Sequence, residues 1–406
     1  MSFPIALSGL NAASADLGVT ANNIANANTT GFKTGRAEFG EVFGSTAYGL
    51  SRTATGQGVR LTQIAQQFKQ GNVNNTDNTL DLAINGEGFF TVSSDKGLAY
   101  TRAGAFGADR DGYVTNSSGQ RLQVYAPQAS GVGFDTATLQ DLRLSSGDNP
   151  PKATTSLEVQ ANLPATAVAP TTTPFDPADP TSYNRSTSVT VYDSLGASHT
   201  TNLYFVKGAA ANEWELNVTV DGNSVGAATP LTFSDAGLLT TPAGASVTLP
   251  AVTLTNGAAP LNTTLDLGDT TQYGDSFSVS RLSQDGYTTG RLTGLEVTAE
   301  GIVQGRYSNG QATALGKVAV ATFTNPQGLQ KIGDTGFTET YASGQALRGE
   351  AGSGNLGVIQ SGALESSNVD LTAQLVNMIT AQRNFQANAQ MIQTSDQITQ
   401  TIINIR

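Results

Sequence analysis

The chain has 406 residues, of which 38% are hydrophobic, 13% are charged and 45 are glycine, so more than one domain and a content rich in strands and turns are expected. The formal net charge of −11 argues against nucleic acid or an anionic membrane as partner, because no basic surplus exists to neutralise phosphates. The absence of cysteine excludes disulfides and thiolate metal sites.

The first 30 residues are predicted to form a helix followed by a stop. Apolar or small residues recur at alternating steps of four and three, which is the spacing of a coiled-coil seam. The positions are Phe3, Leu7, Leu10, Ser14, Leu17, Ala21 and Ile24. Asn22, Asn23, Asn26 and Gly31 are residue types that end a helix. The segment lacks the basic and continuous apolar regions of a secretory signal, so an exported chain would keep its N-terminus.

Residues 31–72 carry few large apolar side chains, and an extended connector is expected there, ordered by its neighbours. Beyond them the hydrophobic period changes to two, which predicts an all-β middle. Prolines crowd residues 150–180 and indicate a crossover into another domain. We therefore assign residues 73–145 and 285–365 to a middle β domain, and residues 146–284 to an outer β domain inserted into it.

Residues 366–406 are predicted to form one continuous helix from Leu371, since no glycine or proline interrupts it. Its seam positions are Leu371, Leu375, Met378, Gln382, Phe385, Ala389, Ile392, Asp396, Thr399 and Ile403. Ser366, Ser367 and Asn368 are the N-cap candidates, with Asp370 three residues after Ser367 as in a capping box. The expected fold class is therefore mixed: N- and C-terminal α-helices pair as a coiled coil, with two nested all-β domains between them.

The polar face of this last helix is nearly neutral. Only Arg383, Asp396 and Arg406 are charged from Leu371 onward, while glutamine and asparagine recur throughout. An ordinary exposed helix carries paired acids and bases. A neutral face suits packing against further copies of the same helix, or the wall of a channel; the alternative is a helix packed within its own monomer.

The sequence gives little support to catalysis or to a cofactor or metal site. His199 is the sole histidine, so a site of two or three histidines cannot form within one chain, and no nucleophile-elbow sequence accompanies it. Residues 352–357 match G-x-G-x-x-G but lack a surrounding strand–helix unit. Asp109 and Asp111 hint at a calcium loop, but its twelfth position would be Gln120, so a β-turn is favoured. No enzyme, cofactor or metal is predicted.

Two terminal motifs carry a family resemblance. The stretches LSGLNAA (residues 7–13), ANNIAN (21–26) and TGFK (30–33) closely resemble the N-terminal signature of the bacterial flagellar rod and hook protein family. The stretches ESSNVDL (365–371), LVNMI (375–379) and AQRNF (381–385) resemble its C-terminal signature. The motif residues are Asn22, Asn23, Ile24, Asn26, Gly31, Phe32, Ser367, Asn368, Val369 and Asp370.

Within this family, the chain length and the stretches VTVYDSLG (189–196) and YFV (204–206) resemble the hook-forming members. The resemblance implies a homopolymer: a flexible tube that acts as a universal joint and transmits torque from rod to filament, with the terminal helices as its inner layer. It also implies type III export and contacts with rod, hook-cap and hook–filament junction proteins. The alternatives are a distal rod subunit or, from another class, a secreted β-rich adhesin or carbohydrate-binding module.

Overall fold

The computed structural model describes residues 2–43, 56–94, 97–128, 133–144 and 147–404, apart from the side chains of residues 2, 402 and 403. The chain divides into two compact units. The first comprises Met1–Ser146, Gly294–Gly305 and Ala312–Arg406, and the second comprises Gly147–Thr293 and Arg306–Gln311.

A long helix lies at each end of the chain: α1 spans Ser2–Ala25 and α2 spans Leu371–Asn404. At about 1.5 Å per residue α2 is roughly 50 Å long. None of the helices in the described ranges is long and apolar enough to cross a membrane. The prediction of two terminal helices around a β-rich middle is confirmed.

The strands of the first unit before the insertion are β1 (Gly35–Glu41), β2 (Val59–Gln66), β3 (Val73–Asn75), β4 (Leu82–Asn85), β5 (Phe89–Ser94), β6 (Gly97–Thr101), β7 (Phe106–Ala108), β8 (Val114–Asn116), β9 (Arg121–Pro127) and β10 (Phe134–Asp141). Those that follow are β11 (Ser156–Pro164), β12 (Arg185–Tyr192), β13 (Ser198–Lys207), β14 (Glu213–Val220), β15 (Asn223–Ser224), β16 (Thr229–Phe233), β17 (Leu239–Thr241), β18 (Ser246–Thr248), β19 (Thr264–Asp266), β20 (Thr271–Tyr273) and β21 (Ser278–Gln284). The remaining strands are β22 (Leu292–Val297), β23 (Ile302–Tyr307), β24 (Ala312–Thr322), β25 (Gln330–Gly333), β26 (Gly336–Thr338), β27 (Leu347–Glu350), β28 (Val358–Ser361) and β29 (Ala363–Glu365).

The core of the first unit is a 12-stranded sheet in which β5, β9 and β24 are central. Residues 318–321 of β24 (Val-Ala-Val-Ala) are fully buried on both faces, which explains why the strand has no polar alternation there. Two short antiparallel pairs, β4 with β28 and β3 with β29, bring the segment before α2 beside residues 73–85.

The described part of the region between α1 and β3 contains a pair of strands. Here β1 and β2 form an antiparallel pair with a bulge after Glu38, and both strands pack on α1. Leu61 and Ile64 of β2 nevertheless remain partly exposed. A strand pair with little apolar surface of its own is therefore ordered by the helix beside it.

The second unit contains a five-stranded sheet around β11 and a six-stranded sheet around β13 and β14. Their core cluster includes Leu203, Phe205 and Trp214. Trp214 is buried, and its Nε1 donates a hydrogen bond to Gln272 Oε1 at 3.2 Å. Trp214 is therefore a core residue of this unit.

Candidate functional site

The two helices pack against each other in antiparallel directions. Near one end, a Cβ atom added at Gly9 would lie 2.5 Å from Asn388 Oδ1. Near the other end, Asn23 Nδ2 donates to Gln374 Oε1 at 3.1 Å. The same number of residues separates these contacts on each helix, so the pair keeps one register along its length.

Asn23 lies where α1 leaves the helix pair, and its carboxamide holds three elements together. The side chain is 2% exposed. Its Oδ1 accepts the N–H of Gly35 at 2.9 Å, and its Nδ2 donates to the carbonyl of Gly35 at 2.8 Å as well as to Gln374. The amide therefore fixes α1 to β1 and to α2 at once. Nearby, Asn26 Nδ2 donates to the carbonyl of Asn22 at 2.9 Å and closes the last turn.

Asn368 does the same for the segment that leads into α2. Its Oδ1 accepts hydrogen bonds from Thr34 N at 2.8 Å and Thr34 Oγ1 at 2.7 Å. Its Nδ2 donates to the carbonyls of Gln67 at 2.7 Å and Lys69 at 2.9 Å. All four hydrogen-bonding positions of the amide are used, so neither aspartate nor serine could replace it without loss.

Three buried charges lie between these two asparagines. Lys33 Nζ is 2.5 Å from Glu365 Oε1, and Arg102 Nη1 is 3.3 Å from Glu365 Oε2. Gly71 N also donates to Glu365 Oε1 at 2.8 Å. Burial lowers the pKa of Lys33 and of Arg102, and the carboxylate of Glu365 opposes both shifts. We call Lys33, Arg102 and Glu365 the charge triad. Its single carboxylate forms ion pairs with two cations that lie far from it in the sequence.

Gly31 and Phe32 complete the junction. Gly31 has φ +70, its N–H donates to the carbonyl of Glu365 at 2.8 Å, and a Cβ atom there would lie 2.4 Å from Ala103 N. Both the positive φ and the close backbone demand glycine. The ring of Phe32 is buried beneath Lys331, whose Nζ lies 5.4 Å from the ring centroid. Burial lowers the pKa of Lys331.

The cap of α2 differs from the prediction. Asp370 is the N-cap: its Oδ1 accepts the N–H groups of Thr372 at 2.9 Å and Ala373 at 3.1 Å. Ser367 Oγ instead accepts the N–H of Val369 at 3.4 Å, so the capping box that would start at Ser367 is wrong. The reason is that the amide of Asn368 is bound to Thr34, Gln67 and Lys69, which keeps this residue outside the helix.

The predicted seam residues fall into two groups. Leu10, Leu17, Ile24, Met378, Phe385 and Ile392 are half-buried. Leu7, Leu371 and Leu375 remain 42%, 47% and 46% exposed, and the side chain of Ile403 lies outside the described residues.

The buried positions among the described side chains of the helix pair are Ala6, Ala13, Thr20, Asn23 and Ala381, none of which belongs to the predicted seam. Small residues there let the helices approach closely, because interaxial distance depends on the side chains at the contact. The larger leucines then lie at the edges of the interface.

Sequence reasoning flagged Asn23, Gly31 and Asn368 but missed the charge triad. The available signal was Lys33, the one charged residue of the N-terminal motif, and Glu365, which accompanies Asp370 and Arg383 in the C-terminal motif. Arg102 lies outside both motifs, and only the fold brings it to them.

Family models match along the chain. Residues 3–33 match the flagella basal body rod protein, and residues 83–167 match the flagellar hook protein FlgE/F/G D1 domain. Residues 162–287 match the flagellar basal body protein FlaE D2 domain, and residues 360–405 match the flagellar basal body rod FlgEFG protein C-terminal.

Curated relatives match over the whole length. The flagellar hook protein FlgE of Salmonella typhimurium is 40% identical over 420 residues, covering 100% of both chains. That of Escherichia coli K12 is 39% identical over 412 residues with the same coverage, and that of Borreliella burgdorferi is 34% identical, covering 98% of each chain. Among solved structures, the crystal structure of Helicobacter pylori flagellar hook protein FlgE2 aligns with a TM-score of 0.53 at 15% identity, covering 72% of this chain and 100% of that one. This likeness concerns the fold.

Proposed function

Because the chain belongs to the family of the flagellar hook protein FlgE, and is a structural subunit of the flagellar hook, we propose that its terminal helices are the elements through which it polymerises. The observation that carries this proposal is the junction of Asn23, Asn368 and the charge triad. These residues bind both chain ends to one β framework, so the helix pair is presented in a single orientation.

The exposed apolar surface of the helices supports the same proposal. Large apolar side chains remain exposed on both: Phe3, Ile5, Leu7, Leu371, Leu375, Val376, Ile379, Met391 and Ile398. Exposed apolar surface of this extent marks an interaction site. We propose that neighbouring copies cover it, with Leu7, Leu371 and Leu375 in a seam between subunits, and that coiled-coil pairing of α1 with α2 persists in the tube.

We further propose that different segments of the chain form different layers of the tube. Residues 1–30 and 366–406 form the inner tube, residues 31–72 connect it to the middle domain of residues 73–145 and 285–365, and residues 146–284 form the outer domain. A bending tube needs a tight inner layer and outer domains that slide. The polar, glycine-rich β units suit sliding better than apolar surfaces would.

Export and partners follow from the family. We propose export through the flagellar type III apparatus without a cleaved signal, and contacts with rod, hook-cap and hook–filament junction proteins. We also propose that the chain catalyses no reaction. Both ring nitrogens of its sole histidine, His199, face carboxylate oxygens, which supports a structural role for that residue.

Deletion of residues 371–406 tests the assembly proposal. The β units should stay folded by circular dichroism, while electron microscopy should find no tubes, because α1 loses its packing partner. Leu195→Ala serves as a control, since it removes an exposed apolar side chain of the second unit. Normal tubes from the truncated chain would overturn the proposal, and straight rods from the full chain would favour the distal rod alternative.

A further inference from the structure

One side of α2 carries an open recess. It has a volume of about 480 Å³ and is lined by residues of α2 alone: Ala387, Gln390, Met391, Thr394, Ser395 and Ile398. Met391 and Ile398 are about half exposed. At 100° per residue, the recess is centred about 110° around α2 from the buried Ala381, which lies on the face that packs on α1. The recess therefore faces away from the α1 of its own chain.

The spacing of these six residues is that of a coiled coil. Knobs-into-holes packing places one side chain of a facing helix between four residues at i, i+3, i+4 and i+7. Residues 387, 390, 391 and 394 form one such hole, and residues 391, 394, 395 and 398 form a second hole four residues further along. Alanine, threonine and serine at three of the six positions leave room for a knob. The recess can therefore receive two side chains of another helix that lie one turn apart.

Phe3 and Leu7 of α1 are two side chains of this kind. They lie four residues apart, both are nearly half exposed, and neither lines the recess of its own chain. At 100° per residue, they lie about 90° around α1 from the buried Ala6 and Ala13. The helix therefore has an apolar ridge beside the face that packs on α2.

The ridge and the recess lie at the same level along the helix pair. In the register of α1 and α2, Leu7 is level with Gln390 and Phe3 is level with Thr394. These levels are the centres of the two holes. A second copy placed beside the first, without displacement along the helix axis, therefore brings its Leu7 and Phe3 to the holes. The two helices then meet in the antiparallel sense in which α1 and α2 meet within one chain.

We propose that in the assembled tube Phe3 and Leu7 of one copy insert into the two holes on α2 of the copy beside it. This inference rests on the proposed function, in which copies polymerise through their helices. Leu371 and Leu375 are also exposed and four residues apart, but a copy would have to shift by about 30 Å along the axis to bring them to the holes. The two contact directions on each helix are not opposite, so repeated side-by-side pairing curves the layer of helices, as a closed tube requires.

Disulfide cross-linking tests whether the ridge and the recess meet between copies. The chain has no cysteine, so Leu7→Cys combined with Thr394→Cys carries the only two thiols. This variant is assembled above its own critical concentration and oxidised with copper–phenanthroline. A ladder of multimers should appear on a non-reducing denaturing gel, because a disulfide forms only when the two Cβ atoms approach to within about 4.5 Å.

The control pair is Leu7→Cys with Gln393→Cys. Gln393 is exposed and lies at nearly the same level of α2 as Thr394, but it is about 100° around the helix and outside both holes. Absence of the ladder, or an equal ladder from the control, would overturn the proposal.

Filling one hole tests whether the contact matters for assembly. Ala387→Leu places a large side chain in the first hole and should raise the critical concentration for tube formation about tenfold, because Leu7 of the neighbouring copy no longer fits. Gln386→Leu adds the same side chain one position earlier, about 100° around the helix, and should leave the critical concentration unchanged. Both positions are exposed, so neither variant should change the unfolding temperature of the unassembled chain.

The outcomes separate this inference from the proposed function. If the unaltered chain forms no tubes, the proposed function fails. If it forms tubes and Ala387→Leu polymerises as readily as Gln386→Leu, only the insertion of Phe3 and Leu7 is wrong. A ladder from Leu375→Cys with Thr394→Cys, in place of the ladder from the Leu7 pair, would also contradict it, since α2 of another copy would then fill the holes.

Discussion

At the scale of single residues, the charge triad is the most demanding feature of the junction. Glu365 is fully buried, and it is the carboxylate that faces both Lys33 and Arg102. A buried charge is tolerated when it is paired, whereas removing one partner leaves the others uncompensated.

Glu365→Gln should therefore destabilise the first unit by about 3–5 kcal/mol, because two buried cations lose their counterion. Denaturant unfolding of the full chain would measure this. Glu38→Gln is the matched control: it also removes a carboxylate beside an arginine, but this pair is exposed, and no measurable loss is expected. Equal stability of the two variants would mean that the triad does not stabilise the fold.

His199 makes a second residue-scale cluster, within the second unit. Its Nδ1 lies 2.6 Å from Asp221 Oδ2 and its Nε2 lies 3.2 Å from Asp193 Oδ2. Only the imidazolium can donate at both nitrogens. Burial lowers the pKa of His199, but the bonds to Asp221 and Asp193 outweigh it and raise the pKa. Asp193 is buried, yet hydrogen bonds from Asn256 and His199 hold its pKa at about 2.

The stability of the second unit should therefore fall as the pH rises. A raised folded pKa means that the stabilisation is complete below the unfolded value of about 6.5 and is lost as the pH rises through the folded value. Calorimetry of the full chain between about pH 5 and 9 should show its unfolding temperature declining. His199→Asn should remove most of that decline, and Asp221→Asn should reduce it. An identical pH profile in His199→Asn would refute the role of the imidazolium.

These residue-scale features were visible in the sequence to different degrees. Gly31 was recognised as a helix stop, and its positive φ fits that reading. Asn23 and Asn368 stood out as motif members, but their partners lie far away in sequence, so no spacing rule identifies them. The triad joins residues 33, 102 and 365. Such a contact depends on strand pairing that periodicity does not specify.

At the scale of elements, the hydrophobic period predicted that both helices form. It did not predict the cap of α2 or the faces through which the two helices are in contact. A repeat with alternating steps of four and three has a period of seven residues. In α1 this period fits two faces, one through residues 6, 13 and 20 and the other through residues 7, 14 and 21. Choosing between them requires knowing how closely the helices approach. Ala6 and Ala13 permit a close approach, and large leucines there would not.

The cap of α2 gives a test at this scale. Asp370→Ala should cost about 1 kcal/mol, because the N–H groups of Thr372 and Ala373 lose their acceptor. Ser367→Ala should cost less, since its hydroxyl lies 3.4 Å from the N–H it faces, outside the helix. Thermal unfolding of α2 followed by circular dichroism would compare the two. If Ser367→Ala lowers the unfolding temperature more than Asp370→Ala does, the capping box predicted from the sequence is correct.

At the scale of the whole molecule, composition and changes of period predicted the order of helix, strands and helix. The pairing of β1 with β2 escaped prediction, because residues such as Arg60, Thr62 and Gln63 give no strong apolar alternation. Its order comes from packing on α1. A strand pair that is stable only when it packs on a neighbouring element shows little hydrophobic alternation in its own sequence.

The exposed leucines of α2 provide the last test, which separates folding from assembly. Leu375→Asp should leave the unfolding temperature of the full chain unchanged, since nearly half of this side chain already faces water. It should nevertheless raise the critical concentration for tube formation at least about tenfold, because a charge would have to be buried between copies. Leu195→Asp places the same charge at an exposed apolar site of the second unit and should polymerise normally. If Leu375→Asp assembles as readily as Leu195→Asp, the seam between copies does not include this face of α2.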